Sequence, residues 1–203
     1  DGTGTAAGFN APAGLVIDAS GAVYIADYGN HCIRKISPQG VVSTWAGSST
    51  ASAANVDGTG TAARFNFPQS LAIDALGQLY VIDTANISGA RIRVITPQGV
   101  VSTLAGSGTA GSQDGTGTAA SFNGASAIAV DHSGQLYVAD YSNHVIRKIS
   151  PQGVVSTLAG QSGQGIFQWG GLPGLIKYPN GVFFAGNTLY FTTFNTIAKI
   201  TPL

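Results

Sequence analysis

The apolar positions at the start of the chain fall into four short runs, residues 15–17, 23–26, 32–36 and 41–46, each closed by Gly, Pro, Asn or Asp. Runs of this length, rich in β-branched residues and bounded by turn formers, predict strands and not helices. The strings Asp18-Ala-Ser-Gly21 and Ser37-Pro-Gln-Gly40 read as tight turns, with Gly at the positive-φ position. Short connections between consecutive strands predict a four-stranded antiparallel meander.

The pattern then repeats. Asp-Gly-Thr-Gly-Thr-Ala-Ala begins at Asp1, Asp57 and Asp114, followed each time by Phe-Asn at Phe9, Phe65 and Phe122. Pro-Gln-Gly-Val-Val-Ser-Thr begins at Pro38, Pro97 and Pro151, and residues 179–202 follow the 12–38 pattern without its tail. A period of roughly 55 residues lies in the range of solenoids and propellers. The prediction is an all-β fold, a β-propeller of four-stranded antiparallel blades. Four blades are seen, near residues 1–56, 57–113, 114–165 and 166–203, and the last lacks its outer strand. Residues 1–203 therefore read as a single propeller domain or a fragment of one. With four blades, an unfinished last blade and no spare outer strand at the N-terminus, a piece of a longer protein, or a self-assembly that completes the ring, is expected over a self-sufficient ring.

Three motifs recur in order: Pro-x-Gly-Leu-Val-Ile-Asp, Gly-x-Val-Tyr-Ile-Ala-Asp, and Gly-Asn-His-x-Ile-Arg-Lys-Ile, with Asn30-His31-Cys32 and Asn143-His144-Val145 at the signature position. Together they resemble the NHL repeat, over nearly the whole chain. The Asp-Gly-Thr-Gly-Thr-Ala-Ala spacers are similar to those of arrays in large bacterial secreted and surface proteins. The resemblance implies a propeller in an extracellular or cell-surface setting.

Composition narrows the function. Charged residues make up 9% of the 203 and the formal net charge is zero. Such a surface has little field to concentrate polyanions, which argues against nucleic-acid or anionic-membrane partners. No apolar run reaches the length of a membrane-spanning helix, so no membrane insertion is expected. The single cysteine, Cys32, excludes an intrachain disulfide and reads as a small buried hydrophobe in a strand.

All nine acidic residues are Asp, and they recur in register: Asp1, Asp57 and Asp114; Asp18, Asp74 and Asp131; Asp27, Asp83 and Asp140. A catalytic acid is normally singular, whereas triplicate placement fits turns whose backbone N–H groups each Asp caps. Arg34, Arg93 and Arg147 share another register and are expected to pair with Asp on a neighbouring blade. No catalytic residue is assigned. Candidate ligand-binding residues lie on the loop-rich face, Tyr28, His31, Tyr141 and His144, and in the irregular entry to blade four, Trp169 and Tyr178. Two imidazoles in separate blades make a poor zinc site. Calcium suits the Asp-Gly-Thr-Gly loops by ligand type but has one carboxylate per loop, so no cofactor is expected. The favoured function is a non-catalytic extracellular binding or scaffold module that meets protein or glycan. The alternative is a lyase- or lactonase-like propeller enzyme with a metal in the central channel.

Overall fold

The computed structural model describes residues 1–84, 89–164, 174 and 176–201. Blade one comprises β1 (Gly2–Thr3), β2 (Pro12–Ile17), β3 (Val23–Asp27), β4 (Cys32–Ile36) and β5 (Val41–Gly47). Blade two comprises β6 (Gly58–Thr59), β7 (Pro68–Ile73), β8 (Leu79–Asp83), β9 (Arg91–Ile95) and β10 (Val100–Ala105). Blade three comprises β11 (Gly115–Thr116), β12 (Ala125–Val130), β13 (Leu136–Asp140), β14 (Val145–Ile149) and β15 (Val154–Gly160). Blade four holds three strands, β16 (Gly181–Ala185), β17 (Thr188–Thr192) and β18 (Ile197–Ile200). The expected all-β propeller architecture is present, with the last blade short of its outer strand.

Each full blade is one antiparallel sheet, ordered β1-β5-β4-β3-β2 in blade one and equivalently in blades two and three. The two-residue strand at its edge is the finding that sequence reading left as loop. Gly2 pairs with Val42 and Thr3 with Val41, so the Asp-Gly-Thr string lies along the outer strand of the blade that follows it in sequence. The same pairing joins Gly58 to Val101 and Gly115 to Val155. An edge shortened to two residues leaves few backbone groups free to recruit another strand.

The chain divides into two compact units, Asp1–Asn86 with Ile92–Thr103, and Ile87–Arg91 with Leu104–Leu203. In the first, the core is the contact between consecutive blades: Tyr24, Ala26, Ile33 and Ala46 of blade one meet Phe65, Leu71, Leu79 and Val81 of blade two. In the second, Tyr137, Ala139, Ile146 and Ala159 of blade three meet Leu189, Phe191 and Ile200 of blade four. Side chains alternate along a strand, so a middle strand packed on both faces buries every position. β8 and β13 do this at all five residues, Leu79–Asp83 and Leu136–Asp140. That burial explains why these strands read as continuous apolar runs and not as alternations.

The outer strands bulge. The register of β4 on β5 shifts between Ile33 and Arg34, leaving Trp45 outside the ladder, and the shift at Ile146/Arg147 does the same to Leu158. Gly47 follows the first bulge with φ +85°, and a Cβ there would stand 2.8 Å from both the His31 carbonyl oxygen and Phe65 Cδ2. Gly40 has a similar φ of +79° but open space around it. Gly47→Ala should therefore cost clearly more than Gly40→Ala. The expectation is about 3 kcal/mol against about 1 kcal/mol, since only the first adds a clash to the left-handed strain; chemical denaturation of the two variants measures the difference.

Candidate functional site

The charged residues of the repeat meet at one point in each full blade. Arg34 is buried in the middle strand of its meander, and its NH1 donates to Asp27 Oδ2 at 2.9 Å and to the Gly8 carbonyl at 3.0 Å. Its NH2 donates to Asp1 Oδ1 at 2.7 Å. Arg93 holds Asp83 and Asp57, both at 2.8 Å, and Arg147 holds Asp140 at 2.9 Å and Asp114 at 2.7 Å. In each blade the guanidinium carbon also lies 5.2 Å from the ring of the spacer phenylalanine, Phe9, Phe65 or Phe122. The Arg therefore pairs within its own blade, which corrects the expected tie to a neighbouring blade. The reason is geometric: the spacer returns along the outer strand and delivers its Asp to the Arg of the same sheet.

The second-strand aspartates complete these knots. Asp27, Asp83 and Asp140 are fully buried, and their Oδ1 atoms accept the backbone N–H of Asn10, Asn66 and Asn123 at 2.7–2.8 Å. The Asn of the Asn-His signature adds a further donor, Asn30 Nδ2 to Asp27 at 2.9 Å and Asn143 Nδ2 to Asp140 at 2.8 Å. Blade two has no such signature, and Asn55, reaching in from the spacer, donates to Asp83 instead. Burial pushes the Asp83 carboxyl up to about 6, against the pull of the Asn66 N–H and Arg93, and raises Asp140 in the same way.

The loop-face candidates form joints between blades. His31 adopts a left-handed conformation, φ 54°, and its Nδ1 accepts the Phe67 N–H at 3.2 Å. Its ring meets the Phe67 ring at 4.4 Å, and Tyr28 covers the same ring at 4.8 Å. The arrangement recurs where His144 Nδ1 accepts the Tyr178 N–H at 3.1 Å, with His144 at 4.3 Å and Tyr141 at 4.9 Å from the Tyr178 ring. Burial lowers the pKa of both histidines, which keeps Nδ1 an acceptor at neutral pH. So five of the candidates come together as two clasps, and Phe67, which sequence reading passed over, is the matching residue of the first. Trp169 lies outside the described residues, as does 86–88 of the lengthened blade-two loop.

At the other end of the strands the Asp-led turns close on themselves. Asp18 Oδ1 accepts the N–H groups of Ser20 and Ala22, each at 2.9 Å, and Asp74 and Asp131 repeat the geometry. Between the turns of blades one and two lies a cleft with a cavity of about 210 Å³ lined by Asp18, Tyr24, Lys35 and Trp45 of blade one and by Ile73, Leu76 and Pro97 of blade two. Cys32 is fully buried, as expected, and desolvation pushes its thiol up to about 11, far from a reactive thiolate. Among the described residues no three His, Cys, Asp or Glu side chains stand close enough to hold a metal ion. Nor is any helix among them long and apolar enough to cross a membrane.

Two stability experiments follow. Arg147→Leu strands the buried Asp140 carboxylate and should cost about 3–5 kcal/mol. Adding Asp140→Asn should recover a substantial part, so a double-mutant cycle by urea unfolding that shows simple additivity contradicts the knot. His31→Ala removes an acceptor and a ring contact and should cost about 1–2 kcal/mol. His31→Asn, which tolerates the left-handed backbone, should lose less in the same thermal melts.

The comparisons with known proteins agree with this geometry. A family model, NHL repeat, matches residues 9–36 and 122–149, the segments that carry the buried pairs Asp27–Arg34 and Asp140–Arg147. No curated protein matches the sequence. Among solved structures, an auxiliary nutrient binding protein from Bacteroides ovatus has a TM-score of 0.69 and 18% identity, over 95% of this chain and 49% of that one. A protein of unknown function from Bacteroides thetaiotaomicron has a TM-score of 0.67 and 23% identity, over 90% of this chain and 44% of that one. Streptogramin B lyase has a TM-score of 0.58 and 14% identity, over 94% of this chain and 54% of that one. The chain spans about half the length of these structures, and likeness at such identity shows the fold alone. With two repeats matched by the family model, three full meanders and a fourth of three strands, the chain is a β-propeller that carries NHL repeats.

Proposed function

We propose that this chain is a non-catalytic, extracellular binding and scaffold module that contacts protein or glycan. The observation that carries the reading is the threefold knot: each Arg of that register, with an Asp on either side, is consumed in holding its own blade together. The turn aspartates are likewise engaged by backbone N–H groups, and the signature histidines by the next blade. Acid–base catalysis needs groups free to exchange a proton with a substrate, and these Arg, Asp and His side chains are spent on structure. The name of the Bacteroides ovatus neighbour, a nutrient binding protein, favours the same reading. The extracellular setting rests on the resemblance of the spacers to those of secreted and surface arrays.

The alternative, an enzyme, has its counterpart in the streptogramin B lyase neighbour. One experiment separates them. The purified chain is incubated with a streptogramin B antibiotic and followed by mass spectrometry, and in parallel it is passed over immobilised glycans and extracellular proteins. Saturable retention on the immobilised ligands with the antibiotic left intact is expected. Multiple-turnover cleavage of the antibiotic would overturn the proposal.

A further inference from the structure

Blade one departs from its sister blades at one place, and the departures converge on one cleft. In blades two and three the second-strand tyrosine closes onto the turn aspartate: Tyr80 donates to Asp74 Oδ2 and Tyr137 to Asp131 Oδ2, both at 3.0 Å. In blade one the Ser20 hydroxyl donates to Asp18 Oδ1 at 2.6 Å, as Ser133 does to Asp131 Oδ1, but no bond from Tyr24 to Asp18 forms. The Tyr24 hydroxyl and Asp18 Oδ2 therefore have no hydrogen-bond partner among the described residues. At the bulge position, where blades two and three carry Leu104 and Leu158, blade one carries Trp45. A bulge re-aims its side chain out of the ladder, and Trp45 lines the cavity edge-on to Tyr24, with ring centroids 5.8 Å apart. Its buried indole N–H finds no acceptor among the described residues. Lys35 sets its ammonium over both rings, 4.7 Å from Trp45 and 5.1 Å from Tyr24; its counterpart in blade two is Val94.

From this juxtaposition we propose that the cleft between the turns of blades one and two binds the hydroxylated ring of a neutral glycan. The inference rests on the binding-module reading and names its ligand and its place. An anionic ligand would meet the carboxylates of Asp18 and Asp74, and a cationic one would meet Lys35. A neutral ligand that both donates and accepts suits them together. Hydroxyls donate to Asp18 Oδ2 and accept from Lys35 and Tyr24, while the C–H face of a sugar rests on aromatic walls. The cavity of about 210 Å³ falls below the roughly 300–1,000 Å³ of drug-sized sites, which favours a single ring over a folded peptide. A second cavity of about 460 Å³ shares Asp18, Ile73, Leu76 and Gly77 with the first and runs on between the two turns, giving a path for the next sugar of a chain.

The sister blades supply substitutions the fold already accepts. Trp45→Leu recreates the residue of blades two and three, and Lys35→Val that of blade two. The intact chain is titrated by calorimetry with a panel of neutral oligosaccharides, such as β-glucans, xylans, mannans and chitin fragments. At least one is expected to bind, and each substitution, like Asp18→Asn, is expected to weaken it tenfold or more with thermal stability kept within a few degrees. Binding that survives Trp45→Leu and Lys35→Val unchanged would overturn the site while leaving the module reading intact. A panel without any binder would overturn the glycan assignment, and retention of a protein ligand in the preceding experiment would then still stand for the module.

Discussion

A guanidinium buried in the middle of a β-sheet governs this molecule. Arg34, Arg93 and Arg147 are at most 3% exposed, and removing such a charge from water costs several kcal/mol unless opposite charge and hydrogen bonds meet it. The first Asp of each group is as deeply buried, while the spacer Asp keeps about half its side-chain surface in solvent. That asymmetry lets one Arg hold two carboxylates without burying both. Among the described residues Nε has no partner in any of the three copies, so the fork is used through its two outer nitrogens. Lysine, a point charge on a flexible stem, has no such fork to offer.

What the Arg connects explains the length and order of the repeat. Its contacts join the start of the spacer, the carbonyl next to the spacer phenylalanine and the end of the second strand, residues 57, 64 and 83 around Arg93. These positions are far apart in sequence, and a deletion in the spacer would pull the Asp off the outer strand. Blade four shows the converse. It carries Ala198 where the others have Arg and Thr193 where they have the buried Asp, and among the described residues it has neither the two-residue edge strand nor the outer strand. Its three-stranded meander is held without an Arg–Asp knot, by apolar contact through Leu189, Phe191 and Ile200 and by the bonds of Ser126 to the Pro179 and Asn180 carbonyls.

The strands and turns were legible because each is specified locally, by a short apolar run between turn residues. The spacer was not, because Asp-Gly-Thr-Gly-Thr-Ala-Ala has the composition of a loop, and its two strand residues are made only by pairing with Val41 and Val42 some forty positions away. The Arg–Asp partnership was visible as a register but not as a contact, since the strand carrying the Arg gives no sign of which blade supplies the Asp. The clasp did leave a signal. The residue ahead of the first strand is aromatic at Phe67 and Tyr178, in the two blades that follow a Tyr-x-Asn-His loop. It is Gly124 after the blade whose loop has no His. Read as a pair across blades, histidine and aromatic predict each other; read within one repeat, they look like free surface residues.

A fold fixed by so few positions leaves the rest of the repeat open to change, and this is where copies of one blade diverge in chemistry. The knot sets the backbone of blades one, two and three alike, so the bulge opens at the same place whether it holds Trp45 or Leu158. In blade three, Tyr137 spends its hydroxyl on Asp131 and Lys148 stands farther off, 5.9 Å from the Tyr137 ring. In blade one, Tyr24 makes no bond to Asp18, and the tyrosine, the lysine and the indole line a shared cleft. The Ser20 bond lowers the Asp18 pKa and so holds its carboxylate ionised, a hydrogen-bond acceptor at the rim of that cleft. Ser20 alone does not make the difference, because Ser133 bonds Asp131 in the same way while Tyr137 still closes. The blades also differ at the bulge: Trp45 meets Tyr24 edge-on, where Leu158 offers no ring to Tyr137. Positions outside the ladder thus give blade one an open turn and an aromatic wall without touching the interaction that keeps the blade folded.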